Sequence, residues 1–374
     1  MFSKEYDQSH GQVSTCRRII KCGVGEACEG CCTREGLQKC ANNASMAIEN
    51  KPPLLLLTYP RSASNLLVRI LSLPQQPNTV AAESGGYFFY DARDHVRQSK
   101  LQERLPAEWT EQEWEAMAEK IQSCYDNFKG LIDRAEADGK RAVIKEHAPW
   151  LICPRVQASY VHGQEYLDAP FKVKDEASPV AQLVAEMPRN ETVLPDAVLL
   201  RCVPTFLVRH PALAFPSYFR AKMSFSNKKL EDDVVDMTAI CTLRWTRNLY
   251  NWYTAAWKGQ KSPIILDADD IINNREVPRH FCDLVGLDAG KVQFQWDAAT
   301  PENMPQNPVE SRFRSTLLAS SGIVAGKTSQ GLSIEKEAVK WRAEFGDAAA
   351  EKLQQFIQDA MADYEYLWSR RLTV

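Results

Sequence analysis

The chain has 374 residues, of which 44% are hydrophobic and 25% charged, a composition that excludes intrinsic disorder, collagen and coiled coil. At roughly one domain per ~100–200 residues, the length admits one large α/β domain or two smaller ones. Forty-five Lys plus Arg against 48 Asp plus Glu give a net charge of −3, so no global field draws the protein onto nucleic acid or an anionic membrane, and any anion site must be local.

The N-terminus, Met1 to Gln8, lacks the apolar core of a signal peptide, and no run approaches the ~18 apolar residues of a membrane span. A cytoplasmic protein with no membrane partner is expected. Six of the eleven cysteines, Cys16, Cys22, Cys28, Cys31, Cys32 and Cys40, fall in residues 1–50. That segment shows no sustained apolar period and reads as a Cys-rich, flexible appendage ahead of one domain spanning 51–374. Its lone C-x-x-C is too little for a zinc finger, and no metal site is assigned. A thiol-rich tail, a metal-binding segment and redox pairing all stay open for it.

Leu54 to Tyr59 is a short apolar run suited to a strand buried on both faces. After Pro60, Leu66, Leu67, Ile70 and Leu71 repeat at helical spacing, with Pro74 as the stop. Residues 108–138 carry Trp114, Met117, Ile121, Tyr125, Phe128 and Ile132 three and four apart, which predicts one or two amphipathic helices. Ala142-Val143-Ile144 is a second strand, with Lys145-Glu146-His147 as its exposed polar end. Phe206-Leu207-Val208 is a third, leading into a helix from Ala212 to Lys222 that Pro216 should kink. Ile264-Ile265-Leu266 is a fourth, followed by a helix that closes at Gly286. Residues 233–258 and 334–368 read as packing helices, with Trp245, Trp252 and Trp257 in the core. Alternating strand and helix predicts an α/β fold, a central parallel β-sheet flanked by helices, with ligands gathered at the carboxyl ends of the strands.

Thr58-Tyr59-Pro60-Arg61-Ser62-Ala63-Ser64-Asn65 joins a strand to a helix, where free backbone N–H groups and the helix dipole suit an anion. It lacks the G-x-x-x-x-G-K-[ST] spacing of a nucleoside triphosphatase, which makes a kinase a poor fit. Further on, Arg209-His210-Pro211 is followed by Ser217, eight residues after the arginine, and Lys145-Glu146-His147-Ala148-Pro149 lies between the two. These three segments, in this order, resemble the sulfotransferases that use 3′-phosphoadenosine 5′-phosphosulfate (PAPS), over roughly residues 52–290. Thr58 to Ser64 resembles the T-Y-P-[KR]-S-G-T-like loop that holds the 5′-phosphosulfate, Lys145 to Pro149 the K-T-H-x-P segment with the catalytic base, and Arg209 to Ser217 the R-x-P-x5-S segment that holds the 3′-phosphate.

The resemblance implies a P-loop nucleotide-kinase-like sulfotransferase fold and PAPS as co-substrate, with no metal required. Arg61, Ser62, Ala63, Ser64, Asn65, Arg209 and Ser217 would bind the nucleotide. His147 would take the acceptor proton, and Arg61 and Lys145 would supply positive charge. The expected partner is a small-molecule hydroxyl or phenol acceptor. The tail and the insertions point to a fungal, specialised-metabolism branch. Departures from the family pattern are Ala63 in place of a glycine, Leu66 in place of a tryptophan, and an absent R-K-G loop, for which Arg312, Arg314 and Lys327 lie in the right part of the chain. Asp269-Asp270 stands where the family has Y-E-D. Glu83 is a second candidate for touching the acceptor, with a plain loop as the alternative. A repurposed member that binds the nucleotide without transferring sulfate is the competing reading. The acceptor, the adenine-stacking residue and the oligomeric state, a homodimer included, stay open.

Overall fold

The computed structural model describes residues 51–374 except 83–84, 176–186, 225–232, 301, 303 and 307. The Cys-rich residues 1–50, with the appendage expected there, and Glu83 lie outside the described residues.

Five strands form one all-parallel sheet: β1 (Leu54–Thr58), β2 (Thr79–Ala81), β3 (Arg141–His147), β4 (Val203–Val208) and β5 (Ile264–Asp267), in the spatial order β2-β3-β1-β4-β5. The chain moves to one side of β1 for β2 and β3, then crosses to the other side for β4 and β5. The switch point therefore lies between β1 and β4, where ligands of such sheets collect. The leucine run of β1 alternates its side chains between two cores. Leu54 and Leu56 pack with Leu67, Ile70, Leu207 and Phe281 on one face, while Leu55 and Leu57 pack with Phe128, Ile144, Phe206 and Trp252 on the other.

The helices used below are α1 (Ser64–Ile70), α2 (Tyr90–Gln98), α3 (Glu111–Ala137), α4 (Pro211–Met223), α5 (Arg244–Ala256), α6 (Pro308–Leu318), α7 (Ile334–Phe345) and α8 (Asp347–Trp368). The amphipathic period of 108–138 is a single helix, α3. It starts at a Thr-x-x-Glu capping box in which Glu113 N–H donates to Thr110 Oγ1 (3.2 Å) and Thr110 N–H to the Glu113 carboxylate (2.9 Å). Segment 233–258 divides into Val234–Ile240 and α5, and 334–368 divides into α7 and α8 at Gly346. Trp245 and Trp252 are core residues, as expected. Helix α4 runs on through Pro216. The edge strand β2, three residues long, has no counterpart in the sequence reading.

One expectation is overturned. Lys145, Glu146 and His147 are not an exposed strand end; they belong to β3 and are buried. A strand between two neighbours, covered on both faces, can bury polar residues when each finds a partner, and all three do. No helix among the described residues is long and apolar enough to cross a membrane.

Candidate active site

The first wall of the site is the turn between β1 and α1. Tyr59 and Ser62 close it, with Ser62 N–H donating to the Tyr59 carbonyl (3.1 Å) and Tyr59 N–H to Ser62 Oγ (3.3 Å). Ser62 is thereby wholly buried and shapes the loop, while Arg61, Ala63, Ser64 and Asn65 line the pocket. Arg61 and Ala63 both have φ near +66°, the left-handed region. At Ala63, where the resembling family has glycine, the Cβ costs roughly 1–2 kcal/mol. This strained turn presents the N-terminus of α1, with the positive end of its dipole, to the pocket.

The second wall is the end of β3. Thr58 and His147 are register partners across β1 and β3, and Thr58 Oγ1 lies 2.7 Å from His147 Nδ1. The imidazole is flanked by Tyr87 (ring centroids 4.5 Å) and Trp150 (4.4 Å). Burial, then the charge of Lys145, holds its pKa well below the usual 6.5, so it is neutral at ordinary pH. Lys145 Nζ donates to Asn65 Oδ1 (2.6 Å) and sits 4.1 Å from the centroid of the Tyr87 ring. It is placed behind the pocket surface, holding Asn65.

Glu146 is fully buried and stitches the loop before α2 to the strand, accepting from Phe89 N–H (2.9 Å) and from its neighbour's His147 N–H (2.6 Å). Burial pushes its carboxyl from 4.5 up to about 7 against the pull of those bonds. The folded protein then holds this proton more firmly than the unfolded chain, so Glu146's contribution makes stability fall as pH rises through that window and level off above it. Glu146→Gln should flatten this part of the slope when Tm is followed across the window; an unchanged slope would assign it elsewhere.

The same stitch demands a glycine at 86. Gly86 has φ +100°, and a Cβ there would lie 2.3 Å from the Lys145 carbonyl oxygen, while the next residue's N–H, that of Tyr87, donates to that oxygen at 3.0 Å. Gly86→Ala should therefore cost about 1–3 kcal/mol, read as a lower urea midpoint at constant m. A midpoint within error of the parent would contradict this packing.

The third wall is the end of β4 with α4. Arg209 donates from one terminal nitrogen to the Arg61 carbonyl (2.9 Å) and from the other to the Lys327 carbonyl (2.9 Å). Its Nε is buried without a hydrogen-bond partner. Arg61 Nε donates to Ser217 Oγ (2.9 Å), and its terminal nitrogen to the Phe313 carbonyl. Burial, then the charge of Arg209, lowers the Arg61 pKa to about 10, still cationic at neutral pH. Burial likewise lowers that of Arg209, with Asp269 and Asp267 opposing. Two guanidiniums thus converge on one corner, and among the described residues neither has an ion-pair partner within 4.0 Å. Two cations without a carboxylate partner on one cavity wall suit a phosphate-like anion. His210, by contrast, caps α4 by accepting from Ala212 N–H (3.1 Å).

The aspartates at and just after the end of β5 serve the C-terminal segments. Asp267 accepts from Asp269 N–H (2.9 Å) and Tyr364 Oη (3.1 Å), Asp269 accepts from Ser329 N–H (2.7 Å), and Asp270 pairs with Arg371 (2.7 Å). Asp269 and Arg209 thereby hold the 326–331 loop beside the pocket. Lys327 and Arg314 line the cavity, whereas Arg312 is exposed and donates to Ser224 Oγ (3.1 Å).

Between these walls lies a cavity of about 840 Å³ whose lining includes Arg61, Arg209, Ser217 and His147. This falls in the range of sites that enclose small ligands. Seven of the nine predicted site residues line it; Ser62 and Lys145 support it from behind. Sequence reasoning missed Tyr87, Trp150 and Phe313. The Gly85-Gly86 pair is the one local signal that a tight turn precedes Tyr87.

No family model matches the chain, and no solved structure gives a significant match. Among curated proteins it is similar to "Sulfotransferase ppzF" of Metarhizium rileyi (strain RCEF 4871), 35% identical over 327 residues that span 85% of this chain and 95% of the relative. It is likewise 35% identical to "Sulfotransferase ppzF" of Metarhizium majus (strain ARSEF 297) over 329 residues, 85% of this chain and 96% of that relative. Together with the parallel five-stranded sheet, this similarity over nearly the whole length of both relatives places the chain in the fungal sulfotransferase family.

Proposed function

We propose that the protein transfers the sulfuryl group of PAPS to a hydroxyl or phenol of a small molecule, releasing 3′,5′-adenosine bisphosphate, with His147 as general base. The observation that carries this reading is the convergence of Arg61, His147, Arg209 and Ser217 on one cavity from three separate strand ends. Arg61 and Arg209, two cations on the cavity lining with no ion-pair partner within 4.0 Å among the described residues, support the fit of a phosphate there. Ser217, which accepts from Arg61, keeps its own hydroxyl proton to donate.

In this mechanism the acceptor oxygen bonds to sulfur as the bond from sulfur to the 5′-phosphate oxygen breaks, and His147 Nε2 takes the acceptor proton. Negative charge grows on the departing phosphate. Arg61 and the α1 N-terminus stabilise it, and burial makes them more effective than they would be in water. Lys145 fixes Asn65 and adds positive charge from behind. Leu66, Leu317 and Val324, which also line the cavity, offer an apolar wall for a base where the tryptophan of the resembling family is missing.

Incubation with ³⁵S-labelled PAPS and a panel of phenols and aliphatic alcohols tests the proposal. Labelled acceptor with one equivalent of the bisphosphate is expected. Tight nucleotide binding with no transfer to any acceptor would instead support a repurposed nucleotide binder.

A further inference from the structure

We propose that Thr58 is the positioning residue that fixes His147 as its Nδ1–H tautomer, leaving Nε2 as the proton acceptor; this rests on the reading of His147 as the base. The argument is one of counting protons. A threonine hydroxyl has one proton to donate and lone pairs to accept. Thr58 Oγ1 donates to the Glu146 carbonyl at 3.0 Å, and a carbonyl can only accept. The hydroxyl proton is therefore spent, and the 2.7 Å contact to His147 Nδ1 must carry a proton from the ring to the hydroxyl. Nδ1 is protonated, and in a neutral imidazole Nε2 then holds a lone pair.

Three further observations support the assignment. The ring is neutral at ordinary pH, so a single tautomer has to be chosen. Nε2 has no hydrogen-bond partner among the described residues, and the imidazole lines the cavity. The ring cannot turn over freely, because Tyr87 and Trp150 pack against it at 4.5 and 4.4 Å between centroids. The partner is also placed by the sheet itself. Thr58 faces His147 in the parallel register of β1 and β3, and the accepting carbonyl belongs to Glu146, the preceding residue of β3. Thr58 thus closes the anion loop's strand and orients the base with one hydroxyl, the role that a carboxylate plays in a hydrolase triad.

The test uses the full chain labelled with ¹⁵N in its histidine rings, whose two nitrogens differ sharply in chemical shift when one carries the proton; His147→Asn identifies the signal. Above neutral pH the His147 ring should show a protonated Nδ1 and a bare Nε2. Thr58→Val, which keeps the shape and removes the hydroxyl, should shift the proton toward Nε2 and lower kcat on an aliphatic alcohol at least about tenfold, with KM for PAPS unchanged. Thr58→Ser should restore both the tautomer and the rate. A wild-type ring protonated on Nε2 overturns the proposal, even where Thr58→Val does not fold. An unaltered tautomer and rate in Thr58→Val overturns the positioning role alone. Unaltered alcohol turnover in His147→Asn overturns the base reading, and this proposal with it.

Discussion

Replacing His147 by asparagine should lower kcat by about 10²–10⁴, the usual contribution of a positioned proton acceptor, while leaving the affinity for 3′,5′-adenosine bisphosphate unchanged. The separation follows from placement. The imidazole stands at the end of β3 between Tyr87 and Trp150, while the two guanidiniums gather at the ends of β1 and β4. Because burial and the Lys145 charge hold the imidazole's pKa well below 6.5, its basic form persists below the pH at which a free histidine would protonate. The rate should therefore show no inflection near 6.5. Calorimetry on the variant checks binding and initial rates check turnover. A variant that keeps its rate, or loses both together, would make His147 a structural residue.

Arg209→Ala should weaken binding of the bisphosphate by about 2–5 kcal/mol, the cost of truncating one partner of a desolvated charge pair. Arg209 also holds the carbonyls of Arg61 and Lys327, so its loss could loosen two loops without any contact to nucleotide. Adenosine 5′-phosphosulfate, which lacks the 3′-phosphate, separates the two effects. If Arg209 grips that phosphate, the variant should bind the two nucleotides with similar, weak affinity, and the loss should fall on the bisphosphate. An equal loss for both would show that Arg209 serves the loops alone.

The sheet was legible because a strand covered on both faces is almost wholly apolar, and Leu54–Leu57 advertises that condition in four consecutive residues. The edge strand Thr79–Ala81 offers too few positions for any period to emerge. Lys145 to His147 misled in a specific way. Three polar residues in a row read as a solvent-facing end, because sequence pattern cannot anticipate that Asn65, the Phe89 N–H and Thr58 will arrive to satisfy them. The seven predicted residues that line the cavity were legible through motif spacing, which reports short-range geometry such as the step from Arg209, just past β4, to Ser217 within α4. Tyr87, some sixty residues before His147, and Phe313, about 250 after Arg61, come to the site only through tertiary packing. Nothing local marks them. The pairing of Thr58 with His147 is a property of strand register, which exists only once β1 and β3 lie side by side.

The most direct measurement of the central claim is the rate of sulfuryl transfer from PAPS to acceptors of graded acidity, compared between the wild type and His147→Asn. A nitrophenol is already ionised near neutral pH and needs no base, whereas an aliphatic alcohol does. If the pocket performs base-assisted sulfuryl transfer, the variant should lose about 10²–10⁴ in rate on alcohols and far less on nitrophenols, so that its rate rises more steeply with acceptor acidity. Equal losses on both acceptor types, or none on either, would contradict the account.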